Sequence, residues 1–291
     1  MIRIRHITHY RYARPVRFGE HRMMLRPRED PDQALVSELL RITPEPAVLR
    51  IERDGLGNFV AVASFSGASN ELCFDSELVV GRRAEAAAPI PPLPGLTPFP
   101  VRSPRSDLGL SQWARGFLGR RTTAGLAVVA AMNAHIHKSF DYRRRLEAGV
   151  QGAEQTLATR SGACRDFAVL IVEAARILGL KARFVSGYVH CPDVDDEPMR
   201  AGGGHTHAWA QVLTPEAGWV DFDPTSGRVG PDGLIRIAVA DQPRDALPIQ
   251  GVYMGSADDF LGMHVEVDVR AAGEVSRPMF EVEPSPLWSV A

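Results

Sequence analysis

The chain has 291 residues, 45% of them hydrophobic, enough to bury a full core without disulfide or metal staples and to fill two domains of the usual ~100–200 residues. A net charge of −2 argues against a whole-protein nucleic-acid binder, and three scattered cysteines (Cys73, Cys164 and Cys191) exclude a disulfide framework. The opening residues alternate rather than form an apolar leader, and no apolar run approaches the ~18 residues that span a bilayer. The expectation is a cytoplasmic protein without nucleic acid or membrane among its partners.

Residues 2–12, 22–26, 35–42, 48–52, 59–65 and 72–80 read as successive strands separated by turn residues such as Asp54, Gly55 and Gly67. They make a β-sandwich-like accessory domain. Between positions 3 and 28, eight arginines face one acid, Glu20, and the reading is outward strand positions rather than a patch for acidic partners. His6, His9 and His21 are scattered singly among strand residues, which favours packing over metal ligation. Residues 84–105 carry too many prolines for helix or central strand and read as a linker.

Helical spacing returns at 106–118 and 126–137. His135 and His137, two apart on the second helix, do not face each other and make a poor metal pair. Residues 140–142 follow as a short strand or turn, and 143–160 as a loop. Then SGACRDFAVLIVEAARIL, residues 161–178, puts Cys164 at the head of an apolar helix, with Ser161 as the expected N-cap and Gly179 as the stop. A thiol in the first turn meets unpaired N–H groups and the positive end of the helix dipole, both of which favour the reactive thiolate. A small buried core cysteine is the competing reading.

Strands are expected at 181–189, 206–213 and 219–223, so that one helix followed by a mostly antiparallel sheet makes an α+β core. Gly187 inside the first of them implies a bulge or a close backbone approach. His207 opens the second strand and Asp223 closes the third, and a short turn makes those strands neighbours. A cysteine nucleophile needs such a pair: an imidazole to hold and return the proton, and a carboxylate to orient the ring. His205 and Asp221 share the strand phases of His207 and Asp223, so phase alone leaves both open. A metal site built on His205 and His207, with His190, Cys191 or Asp193 adding ligands, lacks the spacing of known zinc motifs.

Three linked runs, SGACRDFAVLIVEAARILGLKARFVSGY, HAWAQV and GWVDFDPTSG, resemble the transglutaminase-like superfamily, with His207 43 residues after Cys164 and Asp223 16 residues further on. The opening HITHYRYARPVRFGEHRMMLRPR is similar to the N-terminal β-domain of bacterial members, and residues 241–251 to the segment after the core. The resemblance implies an N-terminal β-domain over 1–83, a linker over 84–105 and a papain-like catalytic core over 106–291 with a C-terminal extension. It makes Cys164 the nucleophile, His207 the general base and acid, and Asp223, directly before Pro-Thr, the orienting carboxylate. The backbone N–H of Cys164 is one expected oxyanion donor, Tyr142 the candidate for a second, and Trp209 a candidate wall beside the histidine. No cofactor or metal is expected; the acidic run Asp193, Asp195, Asp196 and Glu197 lacks calcium-ligand spacing and reads as a solvated loop. The resemblance implies an acyl-thioester on the cysteine and leaves the acceptor open. Hydrolysis of an amide bond in a peptide or protein, as a peptidase or amidase, is the expectation because water is always available and no amine-recruiting feature is visible. Transfer of the acyl group to an amine, and a fold kept only for binding, are the alternatives.

Overall fold

A computed structural model describes residues 1–82, 108–145, 149–190 and 206–272. The linker 84–105, Cys191, His205 and the acidic run 193–197 lie outside them.

Five strands open the chain: β1 (Ile2–Met23), β2 (Gln33–Thr43), β3 (Val48–Arg53), β4 (Phe59–Ser64) and β5 (Ser69–Arg82). The two runs expected at 2–12 and 22–26 are joined in β1, a single strand of 22 residues. Its first part alternates buried Ile2, Ile4, His6 and Thr8 with outward Arg3 and Arg5, which meet Glu77 and Asp75 across the sheet on β5. The arginine-rich opening is thus matched in part by cross-strand acids.

Next come α1 (Leu108–Gly116), α2 (Leu126–Ser139), β6 (Asp141–Tyr142), α3 (Ala153–Thr159), β7 (Ser161–Gly162) and α4 (Cys164–Ile177). Helix α3 falls where the sequence pattern points only to loop. The chain continues through β8 (Lys181–Val189), β9 (Thr206–Thr214), β10 (Gly218–Asp223), β11 (Arg228–Val229), β12 (Leu234–Ala240), β13 (Ile249–Met254) and β14 (Phe260–Ala271).

Strand β1 serves two layers. Its first half pairs antiparallel with β5 and β14, its second half with β4 and β13. Tyr12, Phe18, Met23, Ala63, Leu72 and Phe74 pack together where the layers meet, giving the sandwich-like N-terminal region. The tail strands β13 and β14, which fall in the C-terminal extension that the resemblance implies, pair with β1 of this N-terminal sheet.

The core sheet runs β11-β10-β9-β8-β12, antiparallel throughout. Cross-strand pairing assigns its faces. Ala182, Val212 and Val220 share one face with Phe184, Ala210 and Phe222, and α4 packs there through Phe167, Leu170, Ile171 and Ala174. On the opposite face stand Arg183, Gln211 and Asp221, with Trp209 and Val185 beside them. The overall class is α+β. Among the described residues no helix is long and apolar enough to cross a membrane.

Candidate active site

Helix α4 begins at Cys164, but Ser161 is not its cap. Residues 161 and 162 form β7, paired in parallel with Asp141 and Tyr142 of β6, so Ser161 is held in a strand and Ala163 occupies the N-cap position. The helix start is fixed from inside instead. The Asp166 carboxylate, completely buried in the first turn, accepts hydrogen bonds from the Ala163 N–H at 2.9 Å, the Gln151 N–H at 2.7 Å and the Arg145 guanidinium at 2.9 Å. A Cβ on Gly162 would lie 2.9 Å from the Cβ of Asp166, so this approach requires glycine. Cys164 is the first helical residue, and its backbone N–H is one of the donors a helix leaves unpaired.

The sulfur of Cys164 meets His207 at the start of β9. The ring's Nε2 lies 3.0 Å from Asp223 Oδ2, an ion-pair contact in which the N–H is not aimed along the N···O line. That leaves Nδ1 to face the thiol. His207 and Asp223 are buried, at 8% and 1% side-chain exposure, so their attraction is weakly screened. Asp223 is held in turn by the Thr225 N–H at 3.0 Å and the Ser226 hydroxyl at 2.5 Å. His137 of α2 donates from Nδ1 to the Thr225 carbonyl at 2.9 Å, bracing that turn, and a Cβ on Gly227 would sit 2.9 Å from the His137 ring.

These contacts set the protonation states. Burial alone would push the Cys164 thiol up; the hydrogen bond and charge of His207, with an N–H from Ala208, outweigh it and hold the thiol below its ordinary value. Burial would lower His207, yet the charge of Asp223 and the contact with Cys164 keep it well above the usual imidazole range. Asp223 itself, despite burial, is held below the usual carboxylate range by His207, Ser226 and Thr225. Cys73, half-buried on β5, is pushed the other way by burial and by the acids Asp75 and Glu71.

Tyr142 lies on the same side of the helix start, its ring edge-on to Phe167. Burial and the charge of Cys164 push its hydroxyl up to about 12, so it stays a donor at neutral pH. Trp209 lies against the His207 ring. Its indole N–H donates to Asp221 Oδ1 at 2.8 Å, and its face stacks on His207 with the centroids 6.0 Å apart and the planes 28° apart. Asp221, left open by strand phase, is taken up by that bond and by Arg236 at 2.6 Å. Gly187 marks both features expected of it: the β8–β12 register shifts beside it, and a Cβ there would meet the Trp209 ring at 2.6 Å and the Ile235 carbonyl at 2.1 Å.

The bracing residues Asp166, Thr225, Ser226, His137 and Arg236 are not singled out by sequence pattern. Thr225 and Ser226 carry a local signal, in the run that places Asp223 directly before Pro-Thr. Among the described residues no group of three or more metal-ligating side chains is assembled.

The profile of the transglutaminase-like superfamily matches residues 111–224, and that of the bacterial transglutaminase-like N-terminal region matches residues 2–81. Residues 111–224 belong to the transglutaminase-like superfamily. Curated relatives of similar length include uncharacterized proteins of Mycobacterium tuberculosis, 28% identical over 91% of both chains, and of Mycobacterium leprae, 26% identical over 91% of this chain and 98% of that one. A protein-glutamine gamma-glutamyltransferase of Pseudomonas aeruginosa is 31% identical over 34% of this chain and 15% of its own length. Among solved structures, a candidate cysteine protease of Cytophaga hutchinsonii has the same fold, with a TM-score of 0.64 at 20% identity over 99% of this chain and 93% of that one.

Proposed function

We propose that the protein is a cysteine-dependent amide hydrolase, an amidase or peptidase acting on a peptide or protein substrate. One observation carries the reading: a single buried imidazole bridges the Cys164 sulfur and the Asp223 carboxylate at a helix start, with the thiol held low and the imidazole held high. In this arrangement the thiolate attacks the amide carbonyl, and the carbonyl oxygen takes the developing charge against the Cys164 N–H and the Tyr142 hydroxyl. The imidazolium of His207 gives its proton to the departing amine, leaving an acyl-thioester. Water, deprotonated by the same ring, then releases the acid and the free thiol. Asp223 orients the ring and balances its charge through both steps.

The deciding experiment follows iodoacetamide labelling of each cysteine from about pH 5 to 9, mapped by peptide mass, beside turnover of amide substrates. Cys164 is expected to label well below the ~8.5 of a free thiol, and Cys73 only above it. Cys164→Ala should keep the fold and lose turnover by at least about three orders of magnitude. Turnover retained in that variant ends the proposal. Transfer to an amine is the second reading, favoured by the Pseudomonas relative that matches part of the chain. Incorporation of a fluorescent primary amine into glutamine-containing protein, exceeding release of free acid, would select it.

A further inference from the structure

The face of the core sheet that carries His207 is polar, and the N-terminal region supplies much of what neutralises it. Arg236 on β12 has no solvent exposure and is the hub. Its guanidinium meets Asp30 at 2.8 Å, Asp32 in a shorter contact, and Asp221 at 2.6 Å. Its backbone is gripped as well. The carbonyl accepts from the Arg28 N–H at 3.0 Å and the Gln33 side chain at 2.7 Å, and the Arg236 N–H donates to Gln33 at 3.0 Å. Residues 28–33 follow β1, whereas Asp221 is two residues from Asp223. From Asp221 the chain of contacts passes to the Trp209 indole and, through ring stacking, to His207. Each link is buried, and a buried charge left without its partner is costly enough to force rearrangement.

We propose that Arg236 is a positioning residue for the histidine: anchored by Asp30 and Asp32 of the N-terminal region, it fixes Asp221, which fixes the plane of Trp209 against which His207 is stacked. The N-terminal region is then part of the site rather than an appendage. The role rests on the triad reading above, since the imidazole matters only if it serves Cys164.

The relay predicts a sign that plain electrostatics does not. Asp221→Asn or Asp30→Asn removes a negative charge from the neighbourhood of the thiolate, which by Coulomb's law alone would lower the pH at which Cys164 alkylates. Loss of ring positioning raises it, because the thiolate loses its aligned imidazolium. Trp209→Phe changes no charge and deletes only the indole hydrogen bond and part of the stack. Asp223 and Tyr142, which act at the pair, and Arg144 and Arg165, which act on Tyr142, are untouched by all three variants.

The test is the pH profile of Cys164 alkylation in the full chain, run beside thermal melting for wild type, Trp209→Phe, Asp221→Asn and Asp30→Asn. The expected result is an upward shift of the profile by about half to one pH unit for Trp209→Phe and Asp221→Asn, and a smaller upward shift for Asp30→Asn, which leaves Arg236 two carboxylates. Variants that melt earlier with an unchanged profile, or that shift it downward, overturn the relay. Asp30→Asn, furthest along the relay from His207, decides between these outcomes should the two nearer variants fail to fold. A wild-type profile with the ordinary midpoint of a free thiol would instead end the triad reading itself, which keeps the two failures distinct.

Discussion

The two faces of the core sheet are built on opposite principles. On one, Phe184, Ala210, Val212 and Phe222 meet the apolar stripe of α4, and each large side chain buried there contributes about 1.5–3 kcal/mol without regard to direction. On the other, Arg183 lies over the Trp219 ring at 4.2 Å and donates to Gln211 at 2.8 Å, while Asp221 is shared between Trp209 and Arg236. Hydrogen bonds fix angles as well as contacts, and leaving one unmade costs more than making it gains. The apolar face holds the sheet together; the polar face aims what stands on it. The helix reaches the site through its first residue, Cys164, and the polar face through His207 and Asp223, so stability and alignment can be perturbed separately.

Removing the imidazole is the most severe way to break the second principle. His207→Ala leaves the Cys164 thiol buried without its partner, so its alkylation should move above the ~8.5 of a free thiol and turnover fall by about three orders of magnitude or more, read from iodoacetamide rates and amide hydrolysis. Leu170→Ala attacks the first principle. It should cost about 2–5 kcal/mol in denaturant unfolding and leave the alkylation profile of the folded protein where it was.

Acid tests the seam between the N-terminal sheet and the core. His6 of β1 has its ring nitrogens 2.7 Å from the Tyr188 hydroxyl and 3.1 Å from Thr8 Oγ1, and burial lowers it to about 4. Its folded value lies below the ordinary 6.5, so its contribution is complete above pH 6.5 and is lost as pH falls towards 4. The loss is about 3 kcal/mol by the shift in titration, and His6→Asn should flatten the pH dependence of unfolding in that window. Asp223→Asn completes the series. It keeps the shape of the carboxylate and removes its charge, and should reduce turnover one to two decades less than His207→Ala.

The same contrast explains what could be read from the sequence. The apolar face announces itself through the three- and four-residue repeat of α4, and the proposed triad through short runs in which each member sits at an element's end. Ser161 misleads because the choice between cap and strand is made by β6, some twenty residues earlier, and by Asp166 inside the helix. The part played by Arg236 is invisible for a different reason. The run 234–240 is buried throughout and apolar at every position but 236, so its one arginine reads as an anomaly without a local partner, and Asp30 and Asp32, which meet it, lie over two hundred residues away. The tail strands β13 and β14 are placed by pairing with β1, which no local signal announces.

That pairing has a consequence for how the molecule is made. Met23 ends β1 and Ile249 begins β13, so 226 residue steps separate them in the chain. At roughly 5–20 residues per second of synthesis, β1 waits about 10–45 s with one flank unpaired, an open edge able to recruit a strand from another chain. The first of the described strands to be synthesised is therefore among the last to be sealed. A chaperone that shields a growing chain has its clearest task here, and a chain cut short after β12 would keep α4 and its sheet while leaving the edge of β1 bare.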